Sequence, residues 1–295
     1  MWIVFAVVSA LGLGFYDVMK KISVRGNNVT DVLWLNTLFS TLLMSPVIVG
    51  MLMHGDTGMA GLPYGHVYIV LKAMIVLSSW ILGYFAIKHL PLTIQGPINA
   101  SRPVIVLVGA LLVFGERLNL LQWAGVLLGF FSLFMISRIG AKEGFSMKNS
   151  RWLWMSVGAT VLGAVSALYD KFLMRHFGPL EVQAWYSLYQ LLLMSVVVVL
   201  ISGLPWRRKA DAVKFRWRRS ILFISIFLTG ADLAYFYSLS IPGSMIAVIS
   251  MIRRGSVLIS FFYGVFALHE RHVRAKLMDL GVLLVSLLLL VLGSA

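Results

Sequence analysis

The chain has 295 residues, of which 60% are apolar and 12% charged, with a formal net charge of +14 and no cysteine. Soluble domains carry about 25% charged residues, so this composition, with a mean hydropathy of +0.90, excludes a water-soluble globule. The lack of cysteine excludes disulfides and thiolate chemistry. The positive charge does not point to nucleic acid, because most basic residues flank apolar runs near the roughly 20 residues that cross a bilayer as a helix.

The first run, MWIVFAVVSALGLGF, lacks a basic leader and an evident cleavage site, and reads as a membrane helix and not a removed signal peptide. Charged or turn-forming breaks then divide the chain into ten expected spans. The first five lie near 2–22, 31–53, 66–88, 92–114 and 119–138. The second five lie near 152–174, 182–203, 219–240, 243–267 and 275–293. Short connections such as KHLPL and SIPGS force neighbouring spans to run antiparallel. The connections after spans 1, 3, 5, 7 and 9 hold 18 of the 25 Lys and Arg residues, against Arg117, Lys171 and Arg175 on the other side. The positive-inside rule therefore predicts both termini outside and the basic loops in the cytoplasm.

Four basic residues fall inside spans: Lys72, Arg102, Arg253 and Arg254. Lys72 is close enough to a span end to snorkel to the interface. The arginines lie about 15 Å deep at 1.5 Å per residue, near the middle of a core about 30 Å thick.

The two halves repeat. FYDVMKK matches LYDKFLMR, YFAIKHLP matches YFYSLSIP, and VFGERLN matches FALHERHV, at offsets of 153, 151 and 154. Asp17 thereby pairs with Asp170, Glu116 with Glu270, and Arg102 with Arg253. Five spans per copy is an odd number, so the second copy is expected upside down. Inverted repeats of this kind are common in transporters, with the substrate site near the midplane.

Each half resembles the five-helix EamA unit of the drug/metabolite transporter superfamily. The resemblance rests on SALGLGFYDVMKK, on LPLTIQGPINASRPVIVLVGALLVFGERLNLLQWAGVLLGFFSLFMIS, and on the more divergent IPGSMIAVISMIRRGSVLISFFYGVFALHERHVRAKLMDLGVLLVSLLLLVLGS. It implies an all-α membrane protein of ten transmembrane helices in two inverted-topology five-helix repeats. The repeats would be residues 1–140 and 152–295, joined by a basic cytoplasmic linker over 141–151. It also implies a secondary transporter with a central cavity, and leaves the metabolite unnamed.

In span 4, Gln95, Asn99 and Arg102 share a helical face at i, i+4, i+7, while Pro97 and Pro103 remove backbone donors. The face reads as a cavity lining, with a polar packing seam as the alternative. Arg253 and Arg254 point about 100° apart and can reach different partners, Asp232 being the best acidic one. Guanidinium groups match carboxylate and phosphate bidentately, so the surplus favours an anionic or zwitterionic substrate. If the arginines are instead structurally paired, the chain reads as a broad exporter of amino acids or amphiphilic drugs, or, outside the class, as a non-transporting scaffold.

Asp17 and Asp170 have basic neighbours in sequence, so local ion pairing is the simpler reading; gating or proton coupling is the alternative for these two and for Asp232. Glu116 and Glu270 read as structural caps. Trp80, Tyr84, Tyr16, Tyr169, Tyr235 and Tyr237 are candidate aromatic walls. Gln183, Tyr186 and Gln190 share a face that serves a pocket or helix packing equally. No enzyme is expected: HERH at 269–272 lacks the HExxH spacing for zinc, and there is no P-loop. No cofactor is implied. The expected partners are a small metabolite, a coupled proton or counter-substrate, and lipids, in a bacterial cytoplasmic (inner) membrane.

Overall fold

The computed structural model describes residues 1–24, 27–54, 64–89, 98, 102–140, 151–202, 215–256, 259 and 273–293. Within them are ten α-helices and no strand. They are α1 (Trp2–Val24), α2 (Val29–Met53), α3 (Gly65–His89), α4 (Arg102–Phe114) and α5 (Leu120–Gly140), then α6 (Arg151–Leu173), α7 (Pro179–Ser202), α8 (Ser220–Ser240), α9 (Ile246–Arg253) and α10 (Val273–Leu292). Six of these, α1 to α3 and α6 to α8, are by themselves long and apolar enough to cross a membrane. The chain is an all-α, multi-pass membrane protein.

Helix starts follow local chemistry. Asn119 Oδ1 accepts the Gln122 N–H at 2.8 Å while Gln122 Oε1 accepts the Asn119 N–H at 2.9 Å, a reciprocal capping pair that opens α5. Pro179 stands first in α7, where its missing N–H is no loss, and Glu181 reaches back to the Gly178 N–H at 2.8 Å. Asn28 caps α2 by accepting from Thr30 N at 3.0 Å.

The ninth expected span, 243–267, is not one continuous helix. Its first segment stops at Arg253, and the N–H groups of Arg254 and Gly255 turn back to Met251 and Ile252 in tight i→i−3 bonds. Glycine is the poorest helix former after proline, and Gly255 follows the two arginines at this break.

The most extensive helix pairings are α1 with α8, α3 with α6, α5 with α10 and α2 with α7, followed by α3 with α7, α2 with α8, α4 with α6, α1 with α9 and α4 with α9. Each of these joins a helix of the first five to one of the second five. Exchanging every helix for the one five places away maps this set onto itself. Small residues and hydroxyls carry the crossings, because lipid offers no hydrophobic drive between helices. A Cβ on Gly12 would stand 2.9 Å from the Ala231 Cβ, so α1 and α8 meet only because it is absent. Ser9 Oγ donates to the Ala231 carbonyl at 2.7 Å, and Ser79 Oγ donates to the Ala159 carbonyl at 2.8 Å between α3 and α6.

Polar contacts define two ends of the bundle. At the terminal end, Ser238 bonds the Trp2 carbonyl, Asn119 bonds the Gly293 carbonyl and the Arg175 guanidinium lies over Phe114. At the opposite end, Ser23 bonds Ser220 and Asn27 exchanges two hydrogen bonds with the Arg216 backbone. Glu116, in the turn between α4 and α5, accepts the N–H groups of Ile246 and Ala247 at 2.7 and 3.2 Å. It is the cap expected from the sequence, but it caps α9 in the other half and not the helix beside it. Glu270 lies outside the described residues.

Two outcomes test this packing. Gly12→Val is expected to lower stability by about 1–3 kcal/mol through overpacking, whereas Gly50→Ala, with open space around it, is expected to be neutral or to gain up to about 1 kcal/mol. Thermal unfolding in detergent separates the two. Burial pushes the Glu116 carboxyl above its ordinary value of 4.5, although the two backbone donors oppose the shift. The folded state therefore favours the protonated form, and the stability this adds is full below 4.5 and lost as pH rises through the raised value. Wild-type melting temperature is expected to fall across that window relative to Glu116→Gln.

Candidate functional site

The helices that cross between halves enclose a central cavity of ≈ 410 Å³, within the roughly 300–1,000 Å³ typical of small-molecule sites. Its walls bring together all three midspan arginines, Arg102, Arg253 and Arg254, with Asp17, Asp170 and Asp232. Five basic side chains, counting Lys20 and Lys72, face three acidic ones among the described residues.

Two of the charges are held in ion pairs. Arg253, in the last turn of α9, donates to Asp232 Oδ1 of α8 at 3.1 Å, and its guanidinium stacks 3.9 Å from the Tyr235 ring centre. The position at a helix C-terminus also favours a cation. Lys72 and Asp170 form a close ion pair between α3 and α6, exposed by only 3% and 6%. The Lys72 ammonium also lies 4.5 Å from the Tyr186 ring centre and 4.6 Å from that of Phe236.

This corrects two expectations. Lys72 does not snorkel to an interface, because its reach is taken up by the buried Asp170. Asp170 does not pair with its sequence neighbours, because Lys171 points the other way and donates to the Ser244 carbonyl at 2.6 Å.

Arg102 and Arg254 are in a different condition. Neither has an ion pair or hydrogen bond to any described residue, and Arg102 Nε is buried without a partner. Arg254 lies within electrostatic range of Arg102, Arg253 and Asp17. Arg102 opens α4 and lays its guanidinium against Gly163 of α6, where any Cβ would overlap it. Asp17 is exposed at the cavity wall, within electrostatic range of Lys20 and Arg254. It makes no ion pair among the described residues.

Of the aromatic candidates, Trp80, Tyr16 and Tyr235 line the cavity. Tyr169 donates to the Tyr68 carbonyl at 3.1 Å instead, and Tyr237 is 40% exposed and stacks on Phe5. Gln95 and Asn99 lie outside the described residues, as do the side chain of Tyr84, whose backbone is in α3, and the HERH segment. Among the described residues no group of three or more His, Cys, Asp or Glu side chains is placed to hold a metal ion. The sequence reading missed Lys72 and Gly163 as parts of the site. Only Lys72 left a signal: with helix directions fixed, it and Asp170 fall near the same end.

Removing one partner of a buried ion pair strands the other charge, at a cost of about 3–5 kcal/mol, whereas replacing both is often neutral. Asp170→Asn is therefore expected to destabilise strongly, and the Lys72→Met/Asp170→Leu double variant to recover most of the loss, measured by thermal unfolding in detergent.

Residues 1–138 match the EamA-like transporter family. No curated protein sequence matches the chain. One crystal structure superposes over 97% of this chain and 98% of its own with a TM-score of 0.70 at 16% identity, a likeness of fold alone. The family is one of transporters and not of enzymes, in agreement with the expectation from sequence. The first 138 residues thus resemble an EamA-like transporter unit, and the whole chain is an all-α, multi-pass membrane protein.

Proposed function

We propose that the protein is a secondary active transporter that moves a small anionic or zwitterionic metabolite by alternating access. The observation that carries this reading is the surplus of positive charge in the central cavity, with Arg102 and Arg254 unpaired among the described residues. A desolvated guanidinium without a counterion is costly in a membrane, and a carboxylate or phosphate meets two of its donors at once. Arg102 and Arg254 hold the anionic group. Trp80 and Tyr235 shape the pocket, with Gln95, Asn99 and Tyr84 as the further contacts expected from the sequence. Arg253 is tied to Asp232 and sets the position of Arg254.

The moving parts are two inverted five-helix repeats, 1–140 and 152–295, linked through 141–151. The self-mapping set of helix pairings and the internal sequence repeat support this arrangement. Lys72 and Asp170 close the cavity toward the terminal end, which the distribution of Lys and Arg assigns to the outside of a bacterial cytoplasmic membrane. Asp17, exposed at the cavity wall, is the residue for a coupled proton or counter-substrate.

One observation favours a second reading, an exporter of amino acids or amphiphilic drugs with structurally paired arginines: Arg253 is already held by Asp232 and Tyr235. Transport by purified protein in proteoliposomes, across organic anions, neutral solutes and cationic drugs, decides between the two. Preference for anions is expected. Arg102→Gln and Arg254→Gln are each expected to reduce anion transport by about tenfold or more, as the loss of a charge-assisted hydrogen bond worth about 1.5–3 kcal/mol requires. A preference for neutral or cationic solutes that survives both substitutions would sink the anion reading.

A further inference from the structure

Two glutamines on the polar face of α7, Gln183 and Gln190, do not line the main cavity. Gln183, Tyr186 and Gln190 recur at helical spacing and point between α2 and α8, where they meet Asn36 and Thr229. They enclose a second, smaller cavity of ≈ 20 Å³. It adjoins the central one, because Trp80, Tyr186, Leu228 and Asp232 line both.

The walls of this annex are polar, buried and unsatisfied. Gln183, Gln190 and Thr229 are exposed by only 2%, 3% and 4%. Gln183 Oε1, both Gln190 amide atoms and Thr229 Oγ1 have no hydrogen-bond partner among the described residues. Buried polar side-chain atoms are in the large majority partnered, so orphans gathered round one void mark a place for an occupant.

Their chemistry restricts that occupant. Gln190 presents an NH₂ that needs an acceptor and a carbonyl that needs a donor. A metal cation cannot accept from the NH₂, and a carboxylate cannot donate to the carbonyl oxygens. A cation is also disfavoured by Arg253 and Lys72, which lie within electrostatic range of the shared Asp232. A neutral group that both donates and accepts satisfies the set. The volume suits one group the size of a water molecule.

We propose that the annex is a subsite for an uncharged hydroxyl of the substrate, whose anionic group is held at Arg102 and Arg254. This rests on the anion reading above and narrows it: the substrate is an anion with a neutral hydrogen-bonding group at one end. Water fills the annex between substrates, and the substrate group replaces it by making the same hydrogen bonds. An analogue lacking that group leaves water in place or the amides unpaired, which is how a site built for hydrogen bonds discriminates.

The test uses two pairs of anions that differ by one terminal hydroxyl, 4-hydroxybutyrate against butyrate and 5-hydroxypentanoate against pentanoate, as competitors and ligands of the purified protein. The hydroxylated member of at least one pair is expected to bind wild type about tenfold or more tightly than its deoxy partner. Gln190→Leu and the near-isosteric Thr229→Val are each expected to bring its affinity down to that of the deoxy partner. Arg102→Gln weakens both members of the pair. Equal binding within both pairs, or a hydroxyl preference that survives in Gln190→Leu and Thr229→Val, overturns the subsite and leaves the anion reading intact. In that case the annex holds water alone. If none of the four anions binds wild type, the anion reading falls and the subsite with it.

Discussion

A hydrocarbon core offers no water to solvate a charge or a polar group, and the position of each ionisable side chain described inside this protein follows from that constraint. Two solutions are local. Lys72 is paid off against Asp170 and Arg253 against Asp232, each across a contact between different helices. Glu116 and Lys171 instead satisfy backbone groups at a helix start and a turn. The third solution is to leave the charge at a cavity wall, as with Arg102, Arg254 and Asp17. The candidate site is made from the charges that the first two solutions leave over.

The same constraint shapes the packing. Helices surrounded by lipid gain little from hiding apolar surface from one another, so close approach and hydroxyl–carbonyl bonds do the work. Gly12 against Ala231 and Gly163 against Arg102 are two forms of one device. In the first, the missing Cβ admits a neighbouring helix. In the second, it admits a guanidinium, and α6 backbone becomes part of the cavity wall. The site and the helix crossings are therefore built from the same small-residue positions.

Much of this was legible in the sequence, in the parts governed by one-dimensional patterns. Apolar run length located the ten helices to within a few residues at most described ends, because burial in lipid requires the run itself. Depth arithmetic placed Arg102, Arg253 and Arg254 at one level, and the structure brings them to one cavity. That Asp232 holds one of the two adjacent arginines was also readable, since few acids lie inside spans, but not that the one is Arg253. What failed depended on direction about the helix axis. Lys72 has the spacing of a snorkelling residue, and only its orientation toward Asp170 shows otherwise. Asp170 has Lys171 beside it in sequence, yet adjacent residues on a helix point about 100° apart, so proximity along the chain was a poor guide. The break after Arg253 was hidden inside an unbroken apolar run, with Gly255 as its modest signal.

The interlocking of the two halves has a consequence in time. Lys72 and Asp170 are 98 residues apart, which at ordinary synthesis rates means roughly 5–20 s between their emergence from the ribosome. During that interval Lys72 has no Asp170, Arg102 has no α6 backbone to lie on, and Glu116 has no α9 to cap. The first five helices must therefore be inserted with their polar faces provisionally solvated, by water in the insertion machinery, by lipid headgroups or by one another. The nascent first half is an incomplete surface awaiting its complement, so conditions that slow elongation lengthen the period in which its buried charges are exposed to wrong partners and to quality-control proteases.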